Sequence, residues 1–235
     1  MVFRIFKYLR YLGVILNDIV RFFVIYFPGP TGRKLRYLYW KGKFKKCGKN
    51  VIIDEGVIIQ NPEWISIGDN VWIDKYCILI AGPVNEKEIN LRKKDNKNFK
   101  GIEGELIIEE NVHLAPFCII QAHGGVFIGK NCGFSSGVKL YSLSNLPSDP
   151  SNPSKLVYFT PLNRDNSIYL MGPIVIKENV GIALNSIVLP NVTIHENSFI
   201  APNSVVMSNI PENSYAAGNP AKVIKERFKM EEKSE

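Results

Sequence analysis

The chain has 235 residues, 46% apolar and 22% charged, with a formal net charge of +7. That length suits one domain with appendages, and that composition can build a core, so a wholly disordered chain is excluded. The basic residues crowd into 1–50, 87–100 and 222–233. Such clusters suit a phosphate-bearing partner (a nucleotide-type cofactor, an anionic membrane or nucleic acid) as well as plain solubility, but no nucleic-acid motif stands behind the charge.

Residues 1–27 read as a helix on whose wheel Arg4, Lys7, Arg10, Asn17, Asp18 and Arg21 fall within an arc of roughly 140°. The remainder is Phe, Ile, Leu, Val and Tyr. Charges interrupt the run too often for a membrane span, and no small-residue cleavage site follows. A basic helix with aromatics on its apolar side is the pattern of an interfacial membrane helix. The alternative is a helix packed on its own domain or on a partner subunit. Pro28-Gly29-Pro30 separates it from a second basic-aromatic stretch, 32–46. Residues 1–46 are therefore expected to form an amphipathic helical segment, able to meet an anionic membrane.

From residue 51 an aliphatic residue recurs every six positions. The first run is Ile53, Ile59, Ile67, Ile73, Leu79; the second Ile108, Leu114, Ile120, Ile128, Phe134, Leu140; the third Ile176, Ile182, Val188, Ile194, Ile200, Val206. The position four after each is small or slender, as at Val71, Cys77, Cys118, Cys132, Ser186 and Ser204. A helix returns its apolar positions every 3.6 residues and cannot hold a period of six. Short β-branched segments bounded by Asn, Gly and Asp turns read instead as strands repeating at a fixed angle and stacking one aliphatic stripe. The four cysteines, Cys47, Cys77, Cys118 and Cys132, make no CxxC pair, which argues against zinc and thioredoxin-like chemistry. Three of them occupy the small-residue slot, so they are expected buried and reduced, as in a cytoplasmic protein.

The runs "IGDNVWIDKYCILIAG", "IGKNCGFSSGVKLYS" and "VGIALNSIVLPNVTIHENSFIAPNSVV", with the ending "AAGNPAKVIK", resemble the hexapeptide-repeat acyltransferases, most of all their sugar and polysaccharide O-acetyltransferase branch. The resemblance covers about residues 48–228. It implies an all-β, left-handed parallel β-helix over 47–210, interrupted by loops 82–104 and 144–172 and followed by a C-terminal turn and short helix over 211–235. It also implies a homotrimer, acetyl-CoA as co-substrate, no metal, and a sugar or glycan acceptor in surface-polysaccharide synthesis, on the inner face of the cytoplasmic membrane if residues 1–46 bind there. The loop 82–104 is charged and reads as a solvated surface or as a lipid or substrate contact. The loop 144–172 carries Tyr158, Phe159 and Tyr169, and long loops in a regular scaffold are usually functional.

Acyl transfer to a hydroxyl needs a base for the proton and a donor for the oxyanion. Histidine is the usual base near neutral pH, and the chain has three. His195 reads as a solvated corner, and His113, beside inward Leu114, as an outward residue on a flat face. At His123 the step from Ile120 to Ile128 is eight residues rather than six. That bulge, beside Gly124-Gly125, would re-aim a side chain and leave glycine N–H groups free as oxyanion donors. The alternative is a glycine turn with an incidental histidine. In the resembling galactoside and maltose enzymes the base lies a few residues past the segment matching "SSGVKLYSLSNLPSDP", and the matching position here is Asn145, which is no base. Either His123 holds the role, or Asn145 only orients the acceptor together with Tyr141 and Ser144, or the chain is inactive. The resemblance further implies that acetyl-CoA lies along Ala183, Leu184, Ala201, Pro202 and the turn Gly218-Asn219-Pro220, with Lys222 and Lys225 near its phosphates. Two other classes remain: a non-catalytic trimeric scaffold, kept open by Asn145, and a γ-type carbonic anhydrase, which needs three zinc-binding histidines in an arrangement this chain does not match.

Overall fold

The structure, a computed structural model, describes residues 2–85, 89–160 and 166–228, with side chains from Leu12 onward. The expectations for 86–88, 161–165 and 229–235 lie outside the described residues. Two helices, α1 (Val2–Tyr26) and α2 (Gly29–Lys41), precede a parallel β-helix of three faces. The first face stacks Lys46–Cys47, Ile65–Ile67, Leu106–Ile108, Val126–Ile128, Ile174–Ile176 and Thr193–Ile194. The second stacks Ile52–Ile53, Trp72–Ile73, His113–Leu114, Gly133–Phe134, Gly181–Ile182 and Phe199–Ile200. The third stacks Ile58–Gln60, Ile78–Ile80, Ile119–Gln121, Lys139–Tyr141, Ile187–Val188 and Val205–Val206. Every neighbouring pair in these stacks is parallel and in register, as in Ile78↔Ile119↔Lys139↔Ile187.

The six-residue register maps onto the core without exception. Every aliphatic of the three runs is at most 1% exposed, and the corner residues Val71, Cys77, Val112, Cys118, Val138, Ser186 and Ser204 are equally buried. Each such aliphatic contributes on the order of 1.5–3 kcal/mol by leaving water. The corners have a second requirement, a left-handed residue. Asn fills it at 50, 70, 111 and 131, with φ between 55° and 59°, since its short amide tolerates that region. The four amides also bond one another across coils, Asn50 Nδ2 to Asn70 Oδ1, Asn70 to Asn111 and Asn111 to Asn131, each at 3.2 Å. Toward the C-terminus serine replaces the aliphatic corner residue. Ser186 Oγ donates to Ala201 O at 2.8 Å and accepts the Ser204 N–H at 3.2 Å, satisfying corner groups that the ladder leaves over.

The C-terminus corrects one expectation. Residues 214–226 form no helix: Ser214–Gly218 joins the second face and Ala221–Glu226 folds back antiparallel upon it. The turn at Gly218, φ 104°, reverses the chain, and the β-branched pair Val223-Ile224 continues as strand. Lys222 and Lys225 thus lie on a strand, opposite Ala217 and Tyr215, and do not line a helix.

Both insertions, and the bulge at His123, leave from the third face and return to the first, at one edge of the prism. They meet there. Asn90–Lys93 of the first insertion pairs parallel with Ile168–Met171 of the second, which pairs antiparallel with Leu143–Asn145. Arg92 braces this small sheet by reaching Asp149 Oδ1 at 3.0 Å and Ser151 Oγ at 2.7 Å.

Candidate active site

His123 stands on that edge, half-buried, directly after the strand Ile119–Gln121. Its Nδ1 lies 2.9 Å from the carbonyl oxygen of Gly82, the first residue of the first insertion. A carbonyl only accepts, so the bond requires Nδ1–H, and a neutral imidazole then carries its lone pair on Nε2. The neck of the insertion is clasped by Gly82 N–H donating to Gly104 O at 2.7 Å, which fixes the carbonyl that orients the ring.

The glycines beside His123 are not free donors, contrary to the expectation. Gly124 N–H donates to Ser142 Oγ at 2.9 Å, and Gly125 N–H to Ala122 O at 2.8 Å. The bulge closes on itself because buried N–H groups must find partners. Ser142, wholly buried, also donates to Gln121 O at 2.8 Å, and Gln121 Oε1 accepts the Leu143 N–H at 3.1 Å. Gln121 and Ser142 therefore tie the His123 bulge to the root of the second insertion. Sequence reasoning passed over both; the signal was a serine at 142, two after Leu140, where the neighbouring coils hold Ala81 and Ala122.

The residues expected on the acceptor side cluster at the same edge. Tyr141 ends the strand next to His123's own, in register with Gln121. Ser144 and the exposed Asn145 follow on the small sheet, opposite Leu170 and Tyr169. The Ser151 hydroxyl and Arg92 guanidinium hold the Asp149 carboxyl below the ordinary carboxylate range, so the brace between the two insertions is ionic.

The expected cofactor residues lie on a different edge, between the second and third faces. The register Ile182↔Ile200↔Ala216 stacks Ala183 on Ala201 on Ala217, and Leu184 on Pro202 on Gly218. Ala183 and Ala201 are nearly buried, Ala217 is partly buried and Leu184 is 49% exposed, so this edge is a shallow apolar ladder. Asn219 and Pro220 are exposed at its foot, and Lys222 is exposed opposite Ala217. Lys225 is turned away, its Nζ 5.5 Å from the Tyr215 ring centroid. Within one chain the whole third face separates His123 from this ladder.

The other histidines sit elsewhere. His113 stacks on Trp72 on the second face, ring centroids 4.8 Å apart, with Nε2 3.7 Å from Asp74. His195 occupies the corner after the first face, 3.6 Å from Glu196. The three histidines thus occupy three separate parts of the prism, and among the described residues no group of three His, Cys, Asp or Glu side chains converges on a metal-sized site.

The chain is 32% identical over 191 residues to the dTDP-4-amino-4,6-dideoxy-D-glucose acyltransferase of Escherichia coli, covering 79% of this chain and 84% of that protein. It belongs to the hexapeptide-repeat family of sugar acyltransferases. Among solved structures it is similar to AntD, an N-acyltransferase from Bacillus cereus in complex with dTDP-4-amino-4,6-dideoxyglucose and coenzyme A. The TM-score is 0.62 at 25% identity, over 83% of this chain and 90% of that one. A maltose O-acetyltransferase from Clostridium difficile 630 shares the fold, with TM-score 0.54 at 20% identity over 89% and 83%. No protein-family model matches the chain. The enzyme is an acyltransferase acting on a sugar.

Proposed function

We propose that the enzyme moves an acetyl group from acetyl-CoA to a nucleotide-linked sugar, with His123 as the base, in the supply of a surface polysaccharide. The observation that carries it is the bond from His123 Nδ1 to Gly82 O, which leaves Nε2 as the proton acceptor beside both insertions. The nucleophile attacks the thioester carbonyl, His123 Nε2 takes its proton, and the thiolate of CoA leaves. In this reading the coils wind left-handed, as the family resemblance implies. Because the third face separates His123 from the Ala183–Leu184–Ala201–Pro202 ladder, the site is completed between two copies of a homotrimer.

The acceptor group is an amine in the first reading, because the curated relative and the B. cereus structure are both N-acyltransferases of a 4-amino sugar. A hydroxyl is the second reading, favoured by the presence of a positioned base: a hydroxyl needs proton removal during attack, whereas an amine loses its proton more readily. Release of CoA is measured with dTDP-4-amino-4,6-dideoxyglucose and, separately, with hydroxyl-only sugars and nucleotide sugars. Turnover with the amino sugar alone supports the first reading. Turnover only without an amine supports the second, and no CoA release with any acceptor removes both.

A membrane surface is the proposed working place. No described helix is long and apolar enough to cross a membrane. Yet Leu12, Ile15, Leu16, Ile19, Phe22, Phe23 and Tyr26 form a stripe on α1 and are each 45–61% exposed. The face turned to the protein is Arg21, Val24 and Ile25, with the exposed Asn17 at the margin of the same face. A helix held by its own core would show the reverse arrangement.

A further inference from the structure

A cavity of about 340 Å³ lies where α1, α2 and the first coil meet, lined by Asn17, Arg21, Tyr39, Trp40, Lys43, Ile59, Gln60, Asn61 and Pro62. Its two charged linings are both cations. No carboxylate lines it; Asp18 and Glu63 are neighbours in sequence to lining residues but are not among them. Among the described residues neither cation has an acidic partner: Arg21 Nη2 reaches the Ile59 carbonyl at 3.3 Å, and Lys43 Nζ sits 4.6 Å from the Tyr39 ring centroid. Trp40 is 3% exposed and its indole N–H is buried with no hydrogen-bond partner. A buried donor of this kind is costly to leave unpaired and is a sign of an absent acceptor. The amide side chains of Asn17 and Gln60 add donors to the wall, while Asn61 Nδ2 donates to Ala81 O at 2.7 Å.

We infer that this cavity binds the phosphate headgroup of an anionic membrane phospholipid. The position supports the source of the phosphate. The cavity lies at the root of α1, on the face opposite the exposed Leu12–Tyr26 stripe, so a helix lying in the acyl boundary sets it at headgroup depth. Two cations facing no carboxylate, an orphan indole N–H and amide donors suit a phosphodiester, which presents charged acceptor oxygens and no donor. Lys41 and Lys46 of the neighbouring segment add attraction to an anionic surface, whereas Lys45 is paired with Glu105 at 2.7 Å. This inference rests on the membrane reading of α1, and its test separates the two.

The full-length protein is titrated, by tryptophan fluorescence, with dihexanoylphosphatidylglycerol below its micelle concentration, and co-sedimented with vesicles of phosphatidylcholine with or without phosphatidylglycerol. The comparison variants are Lys43→Gln, Arg21→Gln and a face variant, Leu16→Asn/Phe23→Asn. The wild type should bind the soluble lipid. Lys43→Gln should weaken that binding by about tenfold or more, the loss of one charge-assisted hydrogen bond, with Arg21→Gln behaving alike and both keeping the wild-type melting temperature. The face variant should keep the soluble lipid and lose the vesicles. If Lys43→Gln binds soluble lipid and phosphatidylglycerol vesicles as tightly as wild type, the headgroup site is overturned. If inorganic phosphate or a polyisoprenyl diphosphate binds tenfold more tightly than the phospholipid, the phospholipid assignment is overturned. Should the face variant keep its vesicles, the membrane reading of α1 fails while soluble binding still reports on the cavity.

Discussion

Replacing His123 with alanine is the perturbation that tests the proposed chemistry. A general base typically contributes ~10²–10⁴ in rate, equal to ~2.7–5.4 kcal/mol of barrier at 1.36 kcal/mol per tenfold. His123→Ala should therefore lower kcat by at least ~10²-fold with little change in the KM for acetyl-CoA, because the apolar ladder lies on another edge. The structure divides the effect further. The Nδ1 bond to Gly82 O, at 2.9 Å, is a neutral bond of net worth ~0.5–1.5 kcal/mol, or roughly 2–10-fold in the population of the productive tautomer. Gly82 has φ 89°, a region that alanine avoids, and a Cβ there would stand 2.9 Å from Asn61 Nδ2. Gly82→Ala should shift the carbonyl and cost that 2–10-fold in kcat while His123 remains. The assay is steady-state CoA release across pH. With an amine acceptor, raising the pH should partly rescue His123→Ala, since the amine then loses its proton unaided; with a hydroxyl acceptor it should not. Near wild-type turnover in His123→Ala refutes the assignment, and a large loss in His113→Ala in the same series would move the site to the second face beside Trp72.

Three stability predictions follow from other residues. Arg36 is wholly buried and donates from Nε to Ile53 O at 2.6 Å and from Nη1 to Phe27 O at 2.7 Å, stitching α2 to both the end of α1 and the first coil. Arg36→Met leaves those two carbonyls unpaired and should cost ~2–5 kcal/mol, at ~1–3 kcal/mol for each orphaned acceptor, read as faster proteolysis near residue 27 and a lower Tm; unchanged proteolysis would contradict it. Asn111 needs a left-handed backbone and bonds amides on both sides, so Asn111→Ala should cost more than Asn111→Gly by ~1 kcal/mol in denaturant unfolding. Asp54 is pushed up by burial, but hydrogen bonds from Arg33 and Trp72 together outweigh this and hold its carboxyl below the ordinary value. Its contribution is present above the unfolded carboxylate pKa of ~3.9 and is lost as pH falls through the lower folded value. Asp54→Asn should flatten the acid limb of the Tm–pH curve below about pH 4, and an unchanged limb would contradict the pairing.

The coil was legible because its code is local. One aliphatic every six residues and one slender corner residue between them fix where each side chain points, and Ile53 to Val206 are buried as that register requires. What escaped depends on partners far away in sequence. The Val223-Ile224 strand could not be told from a basic helix without knowing that Gly218 returns the chain onto Ser214–Gly218. The glycine N–H groups at 124 and 125 looked free because Ser142, 18 residues on, is not visible as the acceptor of Gly124 until the coils stack. The pairing of the two insertions through Asn90–Lys93 and Ile168–Met171 had no local signal at all. In α1 the polar arc was found, but not its direction: Arg21 turns toward the protein with Asn17 at the margin of that face, leaving the apolar stripe outside.

The separation of the two half-sites makes a last prediction. If a productive site joins His123 of one copy to the Leu184 ladder of the next, two differently damaged chains must rescue each other. His123→Ala removes the base, and Leu184→Glu sets a charge on the exposed apolar ladder without entering the core. Each homotrimer should be nearly inactive. In trimers assembled from an equal mixture, a site is intact when its first copy carries His123 and its second carries Leu184. Random assembly gives that combination in about one quarter of sites, so about one quarter of wild-type activity should return. A site built within a single chain has no intact copy in any mixture and returns none. Absence of recovery in a mixture shown by mass to contain hybrid trimers would therefore place base and cofactor on the same chain. It would require acetyl-CoA to cross the third face rather than lie along the Ala183–Pro202 edge.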